Sequence, residues 1–218
     1  MGVSRSIGQA IARSLAKANA KVAIGYHRDA TGARRTAQEC GKESLIVQGD
    51  VGNARDCHRL TRTVVDRFGR LDIVINWQKT IDINLMSAVH ISYWAVEQMK
   101  KQGEGKIINV ASRSAFRGET EYLAYAATKA AMVNFTRCLA RTLAPHNILA
   151  YAVAPGFIET GLGMEEIERR GNEIRAQIPS GKIGTPEDVA NVVLFLASPL
   201  SNYITGSTID VNGGSYLH

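Results

Sequence analysis

Short runs rich in Val and Ile alternate along the chain with longer segments whose apolar residues recur every three to four positions. The short runs are typical of buried strands, and the longer segments are typical of helices with one apolar face. Parallel strands are joined by long crossovers that are usually helical, so this alternation predicts a parallel sheet with helices on both faces. We therefore predict an α/β fold with a doubly wound parallel sheet in three layers, α/β/α, forming a single domain over residues 1–218.

The element boundaries follow from where each pattern starts and stops. The predicted strands are Lys21–Tyr26, Ser44–Gln48, Leu71–Asn76, Lys106–Ala111, Ile148–Val153 and Thr208–Val211. The predicted helices are Ser6–Ala18, Ala30–Cys40, Ala54–Phe68, Thr80–Lys101, Glu121–Leu143 and Pro186–Ala197. The last helix has a clear start, because Thr185 is a favourable cap and Pro186 is favourable at the first helical position.

Two places do not fit a continuous fold of this class. Only Met1 precedes Gly2, whereas a glycine-rich loop of this kind normally follows a buried strand. Asn76 runs directly into Trp77, although strand-to-helix connections usually take about 2–6 residues. We therefore expect the first strand and a loop after Asn76 to be absent from this sequence, with a gap in space between Asn76 and Trp77.

Composition narrows the class of protein. With 218 residues, of which 45% are hydrophobic and 21% charged, the chain can bury one substantial core. The start lacks the features of a signal peptide, no apolar run could span a membrane, and three unclustered cysteines fit neither a disulfide framework nor a zinc site. We expect a cytoplasmic protein with no membrane and no metal.

The charge favours an anionic partner. Lys and Arg number 26 against 20 Asp and Glu, a formal net charge of +6. These basic residues are dispersed and are not interleaved with aromatic residues, which argues against nucleic acid. An anionic cofactor or an acidic substrate carrier accounts for the balance equally well.

Gly2, Ser6 and Gly8 form a glycine-rich start that leads into the first helix. Such a loop lets the backbone approach a pyrophosphate on the helix N-terminus, as in dinucleotide sites. The motif alone is as consistent with a plain helix cap of small residues.

Three basic residues bear on the choice of dinucleotide. Arg5 lies in the loop, and His27 and Arg28 follow the first predicted strand, where an adenosine ribose would lie. Cations there suit a 2′-phosphate and favour NADP, whereas an acidic residue would favour the free hydroxyl. For Arg28, an ordinary solvated charge is the alternative. Asp50, at the end of the next strand, could accept a hydrogen bond from adenine or cap the helix that follows.

Tyr125 and Lys129 lie four positions apart in a predicted helix and so share one face. A positive charge close to a phenol favours proton transfer near neutral pH. Ser112 ends the preceding strand, and its hydroxyl could polarise the same substrate oxygen.

At this point the chain resembles the short-chain dehydrogenase/reductase family, and within it most of all the 3-oxoacyl-acyl-carrier-protein reductases. The resemblance extends over essentially the whole chain. It rests on Gly2 to Gly8, Gly49-Asp50-Val51, Asn76, Ile83-Asn84-Leu85, Ser112, Tyr125 to Lys129, Val153 to Gly156, Glu159-Thr160 and Val211 to Gly214. Ser6 departs from the pattern, since the family usually has a second glycine there.

The resemblance implies a Rossmann-type fold and NADPH-dependent reduction of a ketone, with a 3-oxoacyl thioester as substrate. It implies that Tyr125 donates the proton, Ser112 orients the carbonyl, Lys129 binds the nicotinamide ribose and lowers the pKa of the phenol, and Asn84 completes a proton relay. The implied cofactor-binding residues, besides Tyr125 and Lys129, are Gly2, Ser4, Arg5, Ser6, Ile7, Gly8, His27, Arg28, Asp50, Val51, Asn76, Pro155, Gly156, Ile158 and Thr160.

Three other functions stay open. Tyr122 lies seven residues before Lys129, the spacing of the enoyl-carrier-protein reductases, although packing is the simpler use of that side chain. Another short-chain alcohol dehydrogenase is a second alternative. An NADP-binding sensor without turnover is the third, since a fold does not dictate a function.

The resemblance also implies partners. We expect a small-molecule or carrier-protein-bound acyl substrate and a homotetramer. The predicted interfaces are the helices Thr80–Lys101 and Glu121–Leu143, and the C-terminal strand.

Overall fold

The computed structural model describes residues 7–76, 85–120, 122–160 and 164–217. Its strands are β1 (Ala23–Tyr26), β2 (Leu45–Gln48), β3 (Ile73–Asn76), β4 (Gly105–Val110), β5 (Ile148–Pro155) and β6 (Thr208–Val211). Its helices are α1 (Ile7–Lys17), α2 (Ala30–Cys40), α3 (Ala54–Phe68), α4 (Ser87–Gln102), α5 (Ser114–Arg117), α6 (Leu123–Leu143), α7 (Met164–Ala176) and α8 (Pro186–Ala197). The predicted α/β class is confirmed.

All strand pairs of the described residues are parallel, and they form two groups. β1 pairs with β2, while β3, β4, β5 and β6 pair in that order. In the larger group Val153 of β5 is aligned with Val110 of β4 on one side and with Ile209 of β6 on the other. The carboxyl ends of β4 and β5 therefore meet at one edge of the sheet.

Helices cover both faces of the larger sheet. Successive residues of a strand point to opposite faces, so neighbouring residues of one strand pack against different helices. Ile108 and Val110 of β4 pack in one cluster with residues of α1 and α8. Ile107, the residue before Ile108, packs instead with Ala95 and Met99 of α4 and with residues of α6. These two clusters make the three layers that the pattern predicts.

The predicted start of α8 is confirmed in detail. The Thr185 hydroxyl accepts a hydrogen bond from the Asp188 N–H (3.2 Å), and the Asp188 carboxylate accepts one from the Thr185 N–H (2.8 Å). This reciprocal capping box, followed by Pro186, satisfies backbone donors that the first helical turn leaves without partners.

Other predicted boundaries differ from the observed ones by a few residues. Helix α6 begins at Leu123, and the described part of α4 begins at Ser87 and ends at Gln102. Helices α5 and α7 were not predicted. The expected gap between Asn76 and Trp77 involves a residue outside the described ranges, so it stays a prediction.

In the part of the chain that the structure describes, no helix is both long and apolar enough to cross a membrane. The three cysteines, Cys40, Cys57 and Cys138, are all free.

Candidate active site

A cavity of about 180 Å³ opens at the sheet edge where β4 and β5 end. Its walls come from the first turn of α1, the segments that follow β4 and β5, and helix α6. The residues that line it are Ile7, Ala111, Ser112, Tyr125, Pro155, Gly156, Phe157, Ile158 and Thr160. Ligands of open α/β sheets bind at this edge, so the cavity is the candidate site.

Ser112 and Tyr125 meet in this cavity, although they belong to different elements. Burial raises the pKa of the Tyr125 phenol, a hydrogen bond with Ser112 lowers it, and the Glu119 carboxylate raises it. The net effect is a pKa above the ordinary value. The phenol is therefore held in its protonated form, the form that a proton donor needs.

Lys129 lies one helical turn after Tyr125 and is almost completely buried, with 1% of its surface exposed. Its Nζ donates a hydrogen bond to the Val110 carbonyl (2.8 Å) and lies 5.6 Å from the centre of the Tyr125 ring. Burial lowers the pKa of this amine to about 8. The resemblance implies that Lys129 lowers the pKa of the phenol. In this structure burial of Tyr125 outweighs any such effect.

The segment between Ser112 and Tyr125 is held by its own polar contacts. The Ser112 hydroxyl accepts a hydrogen bond from the Ser114 N–H (3.1 Å), and the Ser114 hydroxyl donates one to Glu119 (2.8 Å). These contacts fix the Ser112 hydroxyl at the end of β4. They also place a carboxylate close enough to Tyr125 to influence its pKa.

Close packing positions the segment that follows β5. A Cβ on Gly156 would lie 2.8 Å from the Cβ of Asn212, so only glycine fits there. Ile158, two residues after Gly156, forms an isolated parallel β-bridge with Gly184. Pro155, Gly156, Ile158 and Thr160 are thereby brought together on the cavity wall, beside Ser112 and Tyr125.

Tyr122, the alternative acid, does not line this cavity. It is 57% exposed at the start of α6. Within the single chain its ring is largely in solvent, so the expected packing role of Tyr122 stays a prediction. Of the two tyrosines, only Tyr125 combines burial with a place beside Ser112.

The predicted adenosine-binding residues lie on the smaller sheet. His27 and Arg28 follow β1 and are exposed, and Asp50 and Val51 follow β2. The His27 Nε2 lies 4.0 Å from an Asp50 carboxylate oxygen, so the two strand ends adjoin. Asp50 does not cap α3. That cap is Asn53, whose side chain accepts from the Arg55 and Asp56 N–H groups, while Asp50 accepts from Gly52.

The structure describes only some of the remaining predicted site residues. Ile7 lines the cavity, and a Cβ on Gly8 would meet nothing within 4 Å, which leaves open space at the first turn of α1. Asn76 ends β3, aligned with Asn109. The residues that lie outside the described ranges are Gly2, Ser4, Arg5, Ser6 and Asn84.

Sequence reasoning missed three residues of the site. Phe157 lines the cavity, and Arg113 covers its ring with the guanidinium carbon 4.3 Å from the ring centre. Glu119 acts on Tyr125 through its charge. Two of them are sequence neighbours of predicted site residues, since Phe157 follows Pro155-Gly156 and Arg113 follows Ser112. Nothing in the sequence shows in which direction these side chains point.

Comparisons with known proteins agree with this geometry. The family described as "Enoyl-(Acyl carrier protein) reductase" matches residues 2–76 and 75–216. The 3-oxoacyl-[acyl-carrier-protein] reductase FabG of Vibrio cholerae serotype O1 is 35% identical over 233 residues, covering 99% of this chain and 95% of that protein. FabG of Aquifex aeolicus is 34% identical, with the same coverage.

Solved structures show the same architecture. The short-chain dehydrogenase/reductase SDR:Glucose/ribitol dehydrogenase of Brucella melitensis has a TM-score of 0.91 and 31% identity, covering 100% of this chain and 95% of that one. The chain belongs to the short-chain dehydrogenase/reductase family. Acetoin dehydrogenase of Enterobacter cloacae, with a TM-score of 0.87 and 28% identity over 98% of this chain and 92% of that one, is a further similar structure.

As a short-chain dehydrogenase/reductase, the chain is an oxidoreductase that acts on CH–OH groups and uses a nicotinamide dinucleotide. The described residues fit that cofactor. Among those residues, nothing lies within 4 Å of a Cβ placed on Gly8 at the start of α1, which leaves room for phosphate, and the exposed Arg28 follows β1 at the carboxyl edge of the sheet. Within those residues, no group of three His, Cys, Asp or Glu side chains could hold a metal ion.

Proposed function

We propose that this oxidoreductase reduces a ketone to a secondary alcohol with NADPH, and that its substrate is a 3-oxoacyl thioester. The observation that carries the proposal is the half-buried Tyr125, hydrogen-bonded to Ser112 beside a cavity at the sheet edge. The relatives described above, themselves 3-oxoacyl-[acyl-carrier-protein] reductases, support the substrate class.

In this proposal the residues of the chain manage the proton while the bound cofactor supplies the hydride. Ser112 donates a hydrogen bond to the carbonyl oxygen and fixes its direction. Tyr125 transfers its proton to the same oxygen as negative charge develops there. The raised pKa of Tyr125 suits the direction of reduction, because the phenol starts protonated.

Lys129 has a binding role in this proposal. With a pKa of about 8, its amine is mostly charged at neutral pH, and it can donate hydrogen bonds to the ribose hydroxyls beside the nicotinamide. The nicotinamide contacts the part of the cavity wall that consists of Pro155, Gly156, Ile158 and Thr160. Asn84 completes a proton relay, and Asn76, Gly2, Ser4, Ser6 and Val51 contact the cofactor. These six assignments rest on the sequence pattern and on the family resemblance.

NADPH is the preferred cofactor in this proposal because of Arg5, His27 and Arg28. Exposed cations after β1 can meet a 2′-phosphate with charge-assisted hydrogen bonds, which contribute about 1.5–3 kcal/mol each. Asp50 accepts from the adenine, since its alternative use as a helix cap is ruled out.

We further propose a cytoplasmic homotetramer. Free cysteines suit a reducing compartment. Exposed Tyr93 on α4 and Leu123 on α6 offer apolar surface at the helical interface, and exposed Phe195, Leu200 and Tyr203 offer more near the C-terminal strand. A carrier-protein-bound acyl group is the expected partner at the cavity.

The description of the matching family favours a second candidate, reduction of an enoyl double bond. The exposure of Tyr122 argues against it, because the tyrosine at the enoyl-reductase spacing lies in solvent. Another alcohol dehydrogenase activity would keep the same chemistry with a different ketone.

One assay separates these functions. NADPH consumption is followed with ethyl acetoacetate and with ethyl crotonate, and the products are identified by mass spectrometry. We expect ethyl 3-hydroxybutyrate from the first and no product from the second. Reduction of the crotonate alone would contradict the proposal, and NADPH binding without turnover of any ketone would favour a sensor.

A further inference from the structure

Arg113 occupies an unusual place for a charged residue. It follows Ser112 directly, and its backbone N–H donates a hydrogen bond to the Pro155 carbonyl (3.0 Å), which ties it to the end of β5. Only 5% of the residue is exposed. Arginine is seldom buried to this degree unless it is paired. The cation is therefore built into the wall between the two strands that frame the cavity.

The guanidinium packs against an aromatic ring but is not fully hydrogen-bonded. Its central carbon lies 4.3 Å from the centre of the Phe157 ring, and Phe157 lines the cavity. Its Nη1 is buried and has no hydrogen-bond partner among the residues that the structure describes. Contact with a ring does not replace a hydrogen bond, and a buried donor without an acceptor is costly.

The charges nearby do not supply that acceptor. Across residues 7–76, 85–120, 122–160 and 164–217, no carboxylate lies within 4.0 Å of the Arg113 guanidinium. Glu119 is the acidic group that acts on Arg113, and it already accepts a hydrogen bond from Ser114. Burial, and then the positive charge of Arg117, lower the pKa of Arg113. The surroundings of this cation thus favour the arrival of an acceptor oxygen.

The position of Arg113 indicates which oxygen that is. Ser112 is the residue that orients the ketone oxygen, and consecutive Cα atoms are only about 3.8 Å apart. Arg113 is not among the residues that line the cavity, but its guanidinium packs on the ring of Phe157, which is. A substrate oxygen bound beside Ser112 reaches Nη1 when the Phe157 ring moves aside, and that movement is part of the proposal made here.

We propose that Arg113 is a specificity-determining residue whose Nη1 donates a hydrogen bond to a second substrate oxygen, one methylene away from the ketone. This inference rests on the ketone reduction proposed above. The oxygen is carboxyl-derived, either the carbonyl of an ester or thioester or a free carboxylate. Arg113 thereby selects 3-oxoacyl compounds over simple ketones.

Three substrates and matched variants test this. Acetoacetate carries a carboxylate, ethyl acetoacetate carries a neutral ester, and 2-pentanone has no second oxygen. Values of kcat/KM with NADPH are measured for the wild type, Arg113→Gln and the control Arg117→Gln, which alters an exposed arginine of the same short helix. Thermal melting and NADPH binding report whether each variant is folded.

We expect Arg113→Gln to lower kcat/KM by about tenfold or more for the two substrates with a second oxygen, and to leave 2-pentanone almost unchanged. A larger loss for acetoacetate would identify the carboxylate as the preferred source, and a larger loss for the ester would identify the acyl carbonyl. Arg117→Gln should leave all three values unchanged. An equal loss for all three substrates, or no loss, overturns the proposal.

If Arg113→Gln does not fold, Arg113→Lys keeps the charge and shortens the donor, and the same selective loss is expected on a smaller scale. A uniform change with this variant also overturns the inference. A wild type that reduces none of the three ketones overturns the proposed function and the inference with it. Reduction of all three without selectivity in the variants overturns the inference alone.

Discussion

The two parts of the sheet differ in how the chain holds them. Strands β4 and β5 are buried almost throughout, with Ile107, Ile108, Val110 and the run from Ala150 to Ala154 at or near zero exposure. Strands β1 and β2 pair only with each other among the described residues, and in them only Val47 is buried. The residues proposed for proton transfer lie beside the first part, and the second carries the basic residues proposed for the adenosine end.

This difference matches two kinds of chemistry. Proton transfer needs donors fixed to within a fraction of an ångström, and buried strands supply that rigidity. Recognition of a phosphate needs cations that stay hydrated until the ligand arrives, and exposed loops supply them. Substitutions in the larger sheet should therefore reduce turnover, whereas substitutions in the smaller one should change cofactor choice.

Lys129→Met should reduce both turnover and NADPH binding. It removes the ammonium that is proposed to bind the ribose and that lies 5.6 Å from the centre of the Tyr125 ring, so we expect kcat/KM to fall about a hundredfold and NADPH affinity about tenfold. Steady-state kinetics and fluorescence titration with NADPH measure the two losses. Unchanged affinity would contradict the binding role proposed for Lys129.

The pH dependence of NADPH binding should report the same lysine. Because its pKa is about 8, the amine is charged below that pH and loses its charge as the pH rises through it. We expect NADPH affinity to be retained below pH 8 and to weaken above it. In Lys129→Met the affinity should be weak and flat across this range. If the NADPH affinity of the wild type did not change up to pH 10, the ammonium would not be required for binding.

Arg28→Ala tests the smaller sheet. Loss of one charge-assisted hydrogen bond to the 2′-phosphate should lower the preference for NADPH over NADH by about tenfold, with little change in turnover at saturating cofactor. Arg34→Ala, which alters an exposed arginine of α2, is the control. Equal efficiency of the wild type with both cofactors would refute the assignment.

Helix caps should affect stability without affecting chemistry. Thr185→Ala breaks the capping box of α8 and Asn53→Ala removes the cap of α3, so each should cost about 1 kcal/mol of unfolding free energy. Urea denaturation measures the loss, and kcat should stay within a factor of about two. A large loss of kcat in Thr185→Ala would show that α8 is coupled to the site.

Much of this architecture follows from local pattern. Strands and long helices appear close to their predicted positions because their apolar spacing is strong. Ser112 and Tyr125 meet because the topology brings strand end and helix together, and Lys129 lies near the Tyr125 ring because both are on α6. Helix α7 was missed since it buries little, with Gly171 and Ile174 as its buried residues, and it is kinked at Arg170. A weak apolar stripe gives a weak periodic signal.

Side-chain direction explains the other failures. The residue type of Asp50 suits a cap of α3, and only the structure shows that Asn53 takes that place. Arg113 and Glu119 resemble ordinary surface charges in the sequence. Their influence on the site depends on burial and on contacts with Phe157 and Ser114, which no local pattern encodes.

The most direct test of the central claim compares Tyr125→Phe with Tyr122→Phe, using ethyl acetoacetate reduction and NADPH binding in the same samples. The account predicts that Tyr125→Phe abolishes reduction, because it deletes the transferable proton, while NADPH binding stays near normal. Tyr122→Phe should retain activity, since that ring lies in solvent. Retention of more than about a tenth of the activity in Tyr125→Phe would contradict the assignment of Tyr125 as the proton donor.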